Sequence, residues 1–358
     1  MSDDQAFPPP GAQQAPPPPA PPPHAAVHNP PPGWAPAPGM LGAAHKPGAM
    51  PLRPLALGDM YNAAFRIIRF NPKATVGSAV LVASVTMLIP VMISAIFTFT
   101  VGAALDQAGE IAPNASQSET VGATVSFASL IGGTILLQIG LIFVTGMIAH
   151  VTIAAAIGKR LTLGEAWGAT RGKRWKLLGL TCVINLAWIL ALGVYVGLWA
   201  LVVTVSSSPG PIVLWGVVTV PAFIAGMVWF WVRLYYLPAP ALMLEPVGVF
   251  GAIRRGYGLT RQQFWRILGI GVLTIVVTTI AGSMLSGPVS FIGQIASLAV
   301  PEYALLGLAV TQAVSSVISS AFVAPFTSAV ASLQYIDQRM RKEAFDVELM
   351  TRAGITAS

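Results

Sequence analysis

From Ala74 onward the chain alternates between long apolar stretches and short polar ones. Six apolar stretches, near 74–104, 123–157, 177–205, 212–236, 267–286 and 303–334, reach or exceed the roughly 20 residues that cross a hydrocarbon core of about 30 Å. The pattern predicts an all-α, polytopic membrane fold with six transmembrane helices. Several stretches run past the minimum, which predicts tilt or extension beyond the bilayer. Pro90, Pro221 and Pro325 fall inside spans, where neighbouring groups can satisfy the carbonyls that proline frees.

Three shorter segments switch to helical amphipathicity. Leu57, Met60, Tyr61, Ala64 and Ile68 recur on one face, while Asp59, Asn62, Arg66 and Arg69 fall on the other, and Pro72 stops the run. Before the third span, Thr162 and Glu165 have the spacing of a capping box, followed by Trp167, Arg171, Lys173, Arg174 and Lys176. Before the fifth, Pro246 suits a first helical turn, Arg254 and Arg255 follow, and Thr260 with Gln263 offers a second cap into Phe264, Trp265 and Arg266. Each reads as an interfacial helix preceding a pair of spans. Gly58, Gly164 and Gly248 hold comparable places, so three helix-plus-hairpin units are one expectation; convergent composition of any interfacial helix is the other.

The connections on the opposite side are short or acidic. Asp106, Glu110 and Glu119 occupy the first and Ser206 to Pro211 the second. The third, Gly287 to Glu302, places Pro288, Phe291, Ile292, Ile295 and Leu298 at helix-like intervals and is expected to lie along the outer interface, with a re-entrant loop as the sharper alternative.

Charge orients this pattern. None of the 20 Lys and Arg residues lies in those three outer connections, which is the positive-inside distribution and predicts a cell-membrane protein with both termini cytoplasmic. With 54% hydrophobic and 9% charged residues, a net charge of +7 reads as loops facing an anionic leaflet rather than as a nucleic-acid surface. Residues 1–50 hold 16 of the 30 prolines and lack the layout of a secretory signal, so a retained, disordered, proline-rich cytoplasmic tail is expected. The membrane domain is then 51–340 and a short cytoplasmic tail 341–358.

Candidate chemistry is sparse. Cys182 has no partner cysteine, and no HExxH, GxSxG, Walker A or CxxC pattern occurs, so no catalytic residue, cofactor or metal is expected. Polar residues within or beside the spans are Gln138, His150, Asn185, Arg233 and Gln312. His150, Asn185 and Arg233 are the candidates for function or packing: an ionisable group at membrane depth is functional by default, while snorkelling of Arg233 and interhelical hydrogen bonds from the others are the plainer uses.

The run Pro51-Leu-Arg-Pro-Leu-Ala-Leu-Gly-Asp-Met-Tyr-Asn-Ala-Ala-Phe-Arg-Ile-Ile-Arg-Phe-Asn-Pro-Lys73, followed by a span, resembles the opening of actinobacterial integral membrane proteins of the glycerophosphoryl diester phosphodiesterase membrane-domain family. The likeness covers roughly residues 51–340, and the proline-rich tail is similar as well. Enzymes of that family join this region to a phosphodiesterase barrel with metal-binding acidic residues. Residues 341–358 leave no room for one, so the resemblance implies a six-span module and maps no catalytic residue.

Two functions fit. The first is a non-enzymatic scaffold or accessory module for a protein partner, with Arg66, Arg69, Arg171, Lys173, Arg174, Arg254 and Arg255 as its cytoplasmic interface. The second is a lipid or small-molecule conduit between the helix pairs, where abundant Gly, Ala, Ser and Thr permit close packing or a cavity.

Overall fold

The computed structural model describes residues 48–102, 115–206, 208–300 and 303–354. The expectations for the proline-rich segment 1–47, for Asp106, Glu110 and the Glu119 side chain, and for Glu302 lie outside the described residues. No strand occurs among those described. The helices are α1 (Leu57–Phe70), α2 (Pro72–Ile96), α3 (Ala115–Ala156), α4 (Leu163–Ala169), α5 (Arg174–Val205), α6 (Pro209–Phe230), α7 (Pro238–Leu244), α8 (Val249–Thr260), α9 (Phe264–Ala299), α10 (Ala304–Glu343) and α11 (Phe345–Arg352). π-helical turns extend α2 over Phe97–Gly102 and join α6 to α7 over Trp231–Tyr235. Six segments, Pro72–Thr100, Ile131–Ala156, Arg174–Val205, Pro209–Leu244, Phe264–Ala299 and Leu306–Glu343, are long and apolar enough to cross a membrane. The chain is a helical, multi-pass membrane protein.

The start of one long helix and the end of the next meet at a single basic end. Lys173 Nζ on the approach to α5 donates to the carbonyls of Met243 and Glu245 that end α7, at 2.9 and 2.7 Å. Arg266 of α9 lies 3.1 Å from Asp337 near the end of α10. α2, α3, α9 and α10 form the packed bundle. Their close approach depends on small residues: a Cβ on Gly133 would meet Pro90 Cγ at 2.6 Å, one on Gly140 would meet Val82 Cγ1 at 2.4 Å, and one on Gly293 would meet Thr311 Oγ1 at 2.4 Å. α10 is the pillar, with every residue from Ser328 to Gln338 buried.

The α5–α6 hairpin stands apart from this bundle. Its buried residues are Leu177, Leu180 and Ile184 in the first turns of α5, and α6 has none. Beyond that point its apolar side chains face outward, a solution available in lipid because hydrocarbon is as apolar as leucine.

Several boundaries differ from expectation. α9 runs unbroken through Gly287 and Pro288 to Ala299, so the expected outer connection is the distal part of a helix. Helical turns before Pro288 can absorb its missing N–H because neighbouring helices supply partners. Met50, assigned to the tail, is fully buried, and Ala49 N donates to Ala155 O at 2.8 Å, so the packed domain begins by residue 48. The C-terminal residues are folded too: α11 buries Phe345 and Leu349.

The surface helices form, and their apolar faces are used inside the protein. On α1, Met60, Ala63, Ala64 and Ile67 are buried; Tyr61 stacks on Phe326 of α10 at 5.6 Å, while Leu57 turns outward. Thr162 and Glu165 make the capping box: Glu165 N donates to Thr162 Oγ1 at 3.3 Å, and Thr162 N donates to Glu165 at 2.7 Å. The Thr162 N–H, and with it the Thr162 hydroxyl donating to the same carboxylate at 2.9 Å, pulls the Glu165 carboxyl below its ordinary pKa of 4.5. The second expected cap does not form. Thr260 is the buried last residue of α8, its Oγ1 donating to Tyr257 O, and Gln263 makes no side-chain cap. Pro246 precedes α8, which starts after Gly248.

Candidate functional site

A cavity of about 260 Å³ lies where α3, α5, the Trp231–Tyr235 turn, α7, α9 and α10 converge. Its walls are mostly apolar, including Ile142, Leu177, Leu180, Ile184, Trp231 and Ile275. Hydroxyls punctuate them. Thr145 Oγ1 and Ser328 Oγ are 3.0 Å apart, and Thr274 Oγ1 lies 3.0 Å from Tyr61 Oη while donating to Ile270 O. Tyr236, 7% exposed, also lines the cavity; its hydroxyl, in the neighbourhood of Thr274 and Tyr61, lacks a hydrogen bond of good geometry. Leaving a buried hydroxyl unmatched costs about 1–3 kcal/mol, which a ligand oxygen placed there would offset.

Local sequence builds these walls. The π-helical turn adds a residue to the turn, so Trp231, Tyr235 and Tyr236 reach the same space from a narrower arc than an α-helix would give them. Trp231 packs against Gly271 of α9, where a Cβ would meet its Cη2 at 2.4 Å. Glycine at 271 is therefore what admits the indole. Tyr235 and Ile275, 46% and 47% exposed, line the cavity and the outer surface together, giving it a lateral mouth. From Ala331 and Thr327 to Asp337 on α10 the rise is about 9 and 15 Å, so the cavity sits some two to three turns inside the basic end. A second cleft of about 250 Å³, lined by Ser286, Ser290, Gln312, Ser315, Ser319 and Ser320 among others, lies two turns farther along α10.

A collar of ion pairs closes the basic end below the cavity. Glu245 accepts from Arg255 at 2.9 and 3.0 Å and from Tyr335 Oη; Glu343 pairs with Arg255 at 2.6 Å and Arg339 at 3.0 Å. Burial disfavours the Arg255 charge, but hydrogen bonds to Glu343 and Glu245 outweigh it and raise its pKa. For Lys173, burial dominates, Lys176 adds to it, and Glu245 opposes them, so its pKa is lowered. Asp337, wholly buried, binds Arg266, Arg341 and the Leu55 N–H at 3.1, 3.0 and 2.7 Å.

The residues singled out from sequence scatter around this site. His150 is half-buried on α3, Nε2 without a hydrogen-bond partner, and is not a cavity residue. Asn185 is exposed, donating back to Thr181 O at 2.9 Å; its neighbours Thr181 and Ile184 line the cavity instead. Arg233 is half-buried in the π-helical turn, donating to Thr260 Oγ1 at 3.3 Å beneath the Tyr257 ring at 5.1 Å. Gln138 and Gln312 are exposed. Of the proposed interface, Lys173 and Arg255 are engaged in the collar and Arg174 folds over Trp167 at 3.7 Å, leaving Arg66, Arg69, Arg171 and Arg254 exposed. Trp231 and Tyr236 were missed because nothing in a run of apolar residues announces a π-helical turn, and Thr274 because a threonine within an apolar span does not show which face it takes. Glu245 and Asp337 did carry a signal, as rare acids on the side dominated by bases. No cluster of His, Cys, Asp or Glu suited to a metal occurs among the described residues.

Comparisons with protein-family models, with curated proteins and with solved structures give no match.

Proposed function

We propose that the protein is a non-enzymatic cell-membrane module that takes a lipid-like amphiphile from the bilayer into the cavity behind Tyr235 and Ile275. The observation that carries this reading is an apolar, laterally open space with one buried hydroxyl, that of Tyr236, lacking a hydrogen bond of good geometry. An acyl or isoprenoid chain would lie along Ile142, Leu180, Ile184 and Ile275, with a carbonyl, ester or hydroxyl oxygen at Tyr236. Tyrosines are the only titratable groups in the wall, which favours binding over chemistry. The serine-lined cleft farther along α10 supports transfer along that helix rather than static storage. The positive-inside distribution supports a cytoplasmic basic end and both termini in the cytoplasm, facing the anionic leaflet. From the family resemblance the proposal takes only the membrane module.

The test is native mass spectrometry with lipid extraction on the full chain purified in mild detergent. The wild type is expected to retain a discrete lipid, Ala239→Leu to lose it by filling the cavity, and Tyr236→Phe to exchange it faster. Retention of the same lipid at the same stoichiometry by a folded Ala239→Leu protein refutes the reading.

One observation favours the scaffold alternative: the α5–α6 hairpin leaves its most apolar stretches without a buried residue, a surface a membrane partner can cover. A stoichiometric protein recovered with the wild type and lost on substituting outward residues such as Leu190 and Val217 would establish that use.

A further inference from the structure

Beside the membrane domain, away from the apolar cavity, the end of α1 and the turn after α3 enclose a cleft of about 510 Å³ lined by Gly48, Ala49, Arg66, Arg69, Phe70, Gly158 and Arg160. We propose that this cleft binds a phosphate group, supplied by the headgroup of an anionic inner-leaflet lipid. The site does not depend on a ligand in the cavity.

The cleft is built by backbone geometry. Gly158, at φ +77°, ends α3 in a Schellman arrangement: its N–H donates to Ala155 O at 3.2 Å and Lys159 N–H to Ala154 O at 2.8 Å. That turn aims the chain back across α1. Leu161 N donates to Asn71 Oδ1 at 3.0 Å, fixing the linker to the α1–α2 junction. On the other side Gly48 approaches so closely that a Cβ would meet Ala155 O at 2.1 Å. Arg160 is set over the Phe70 ring at 4.4 Å, while Arg66 and Arg69 project from one face of α1 three residues apart.

Charge then identifies the ligand. Among the described residues none of the three arginines lies within 4 Å of a carboxylate, whereas Arg255, Arg266, Arg339 and Arg341 all do. Some of this positive charge answers the C-terminal ends of α1 and α3, each worth about half a negative charge, but three guanidiniums still leave a net charge of about +2. Guanidinium groups match phosphate oxygens with paired hydrogen bonds. The candidate spans on either side begin at Pro72 and end at Ala156, so the cleft lies at the membrane border where lipid phosphates sit. Juxtamembrane arginines each contribute about fivefold in affinity for an anionic surface, so removing three should weaken binding on the order of a hundredfold.

The full chain would be reconstituted in nanodiscs of phosphatidylcholine with or without a minor fraction of phosphatidic acid, and retained anionic lipid counted by native mass spectrometry. Three proteins are compared: wild type, R66Q/R69Q/R160Q, and R171Q/K176Q/R254Q as a charge-matched control. Loss in the first variant with retention in the control supports the site and its lipid source. Inorganic phosphate titrated into both kinds of disc separates the sources: saturable binding in phosphatidylcholine discs that also displaces phosphatidic acid from the mixed discs, and is lost in the first variant, assigns the cleft to free phosphate and overturns the lipid assignment. Equal retention by both variants, or an equal loss in both, overturns the site altogether and leaves topogenic charge only. R160Q alone, whose exposed side chain stacks on Phe70, guards against misfolding and should lose about fivefold.

Discussion

Asp337 is the residue whose removal tests the account of the basic end most sharply. Its carboxylate is inaccessible to solvent and serves three partners at once: Arg266, Arg341 and the Leu55 N–H. Asp337→Ala would strand the buried Leu55 N–H, at about 1–3 kcal/mol, and remove the counter-charge from two guanidiniums. Breaking a buried pair costs about 3–5 kcal/mol, but Arg266 and Arg341 are 26% and 32% exposed and both also donate to Leu55 O, so the charge loss falls below that range, at about 2 kcal/mol, and the stranded N–H adds about 1 kcal/mol. We expect a total of about 3 kcal/mol for Ala and about 2 kcal/mol for Asp337→Asn, which keeps an acceptor for Leu55 N while losing the charge. The assay is hydrogen exchange of the Leu55 amide, together with the thermal midpoint of the full chain in detergent. At about 3 kcal/mol, exchange at Leu55 accelerates on the order of a hundredfold. Adding Arg341→Gln to Asp337→Asn should cost less than it does in the wild type, because the partner is already gone. Unchanged Leu55 protection in Asp337→Ala would refute the reasoning.

Three further outcomes follow from the geometry. Gly271→Ala drives Trp231 from its seat, and overpacking of about 1–3 kcal/mol exceeds the roughly 1 kcal/mol that alanine contributes to helix propensity; lower thermal stability in the otherwise wild-type chain, with no such loss when Gly271→Ala is added to Trp231→Ala, checks this. Gly158→Ala, forced to φ +77°, should destabilise by about 1 kcal/mol and raise exchange at the Lys159 amide. Because the Glu165 pKa is lowered on folding, its carboxylate stabilises the α4 cap above pH 4.5 and that support is lost as pH falls through the lowered value; the protection of the Glu165 amide relative to the unfolded chain should fall across that window and stay flat above it.

The six spans were legible because a membrane demands a long, nearly uniform apolar run for each crossing, and no tertiary contact can waive that length. The Thr162–Glu165 cap was equally legible, since both partners lie within one turn and need nothing from the rest of the chain. Pro288 misled because proline breaks helices in water, where freed carbonyls are readily solvated, whereas α9 continues past it in a packed bundle. The Thr260–Gln263 pattern failed because burial of Thr260 beside Arg233 overrode a local cap. Of the site, sequence supplied only the basic residues, without distinguishing those tied up by Glu245, Glu343 and Asp337 from the free arginines at the α1–α3 cleft.

Sequence alone determined how many times the chain crosses, which loops hold the positive charge, and where short-range signals start or end a helix. Each depends on length, composition or neighbours within a few residues. Tertiary structure decided the cavity, the lone Tyr236 hydroxyl, the seat of Trp231 on Gly271 and the partners of Asp337, which join residues as far apart as 55 and 337. In a chain where nearly every helix face is apolar, hydrophobicity cannot say which face meets lipid and which meets protein. Steric fit between small and large residues, and the pairing of the few buried polar groups, make that choice.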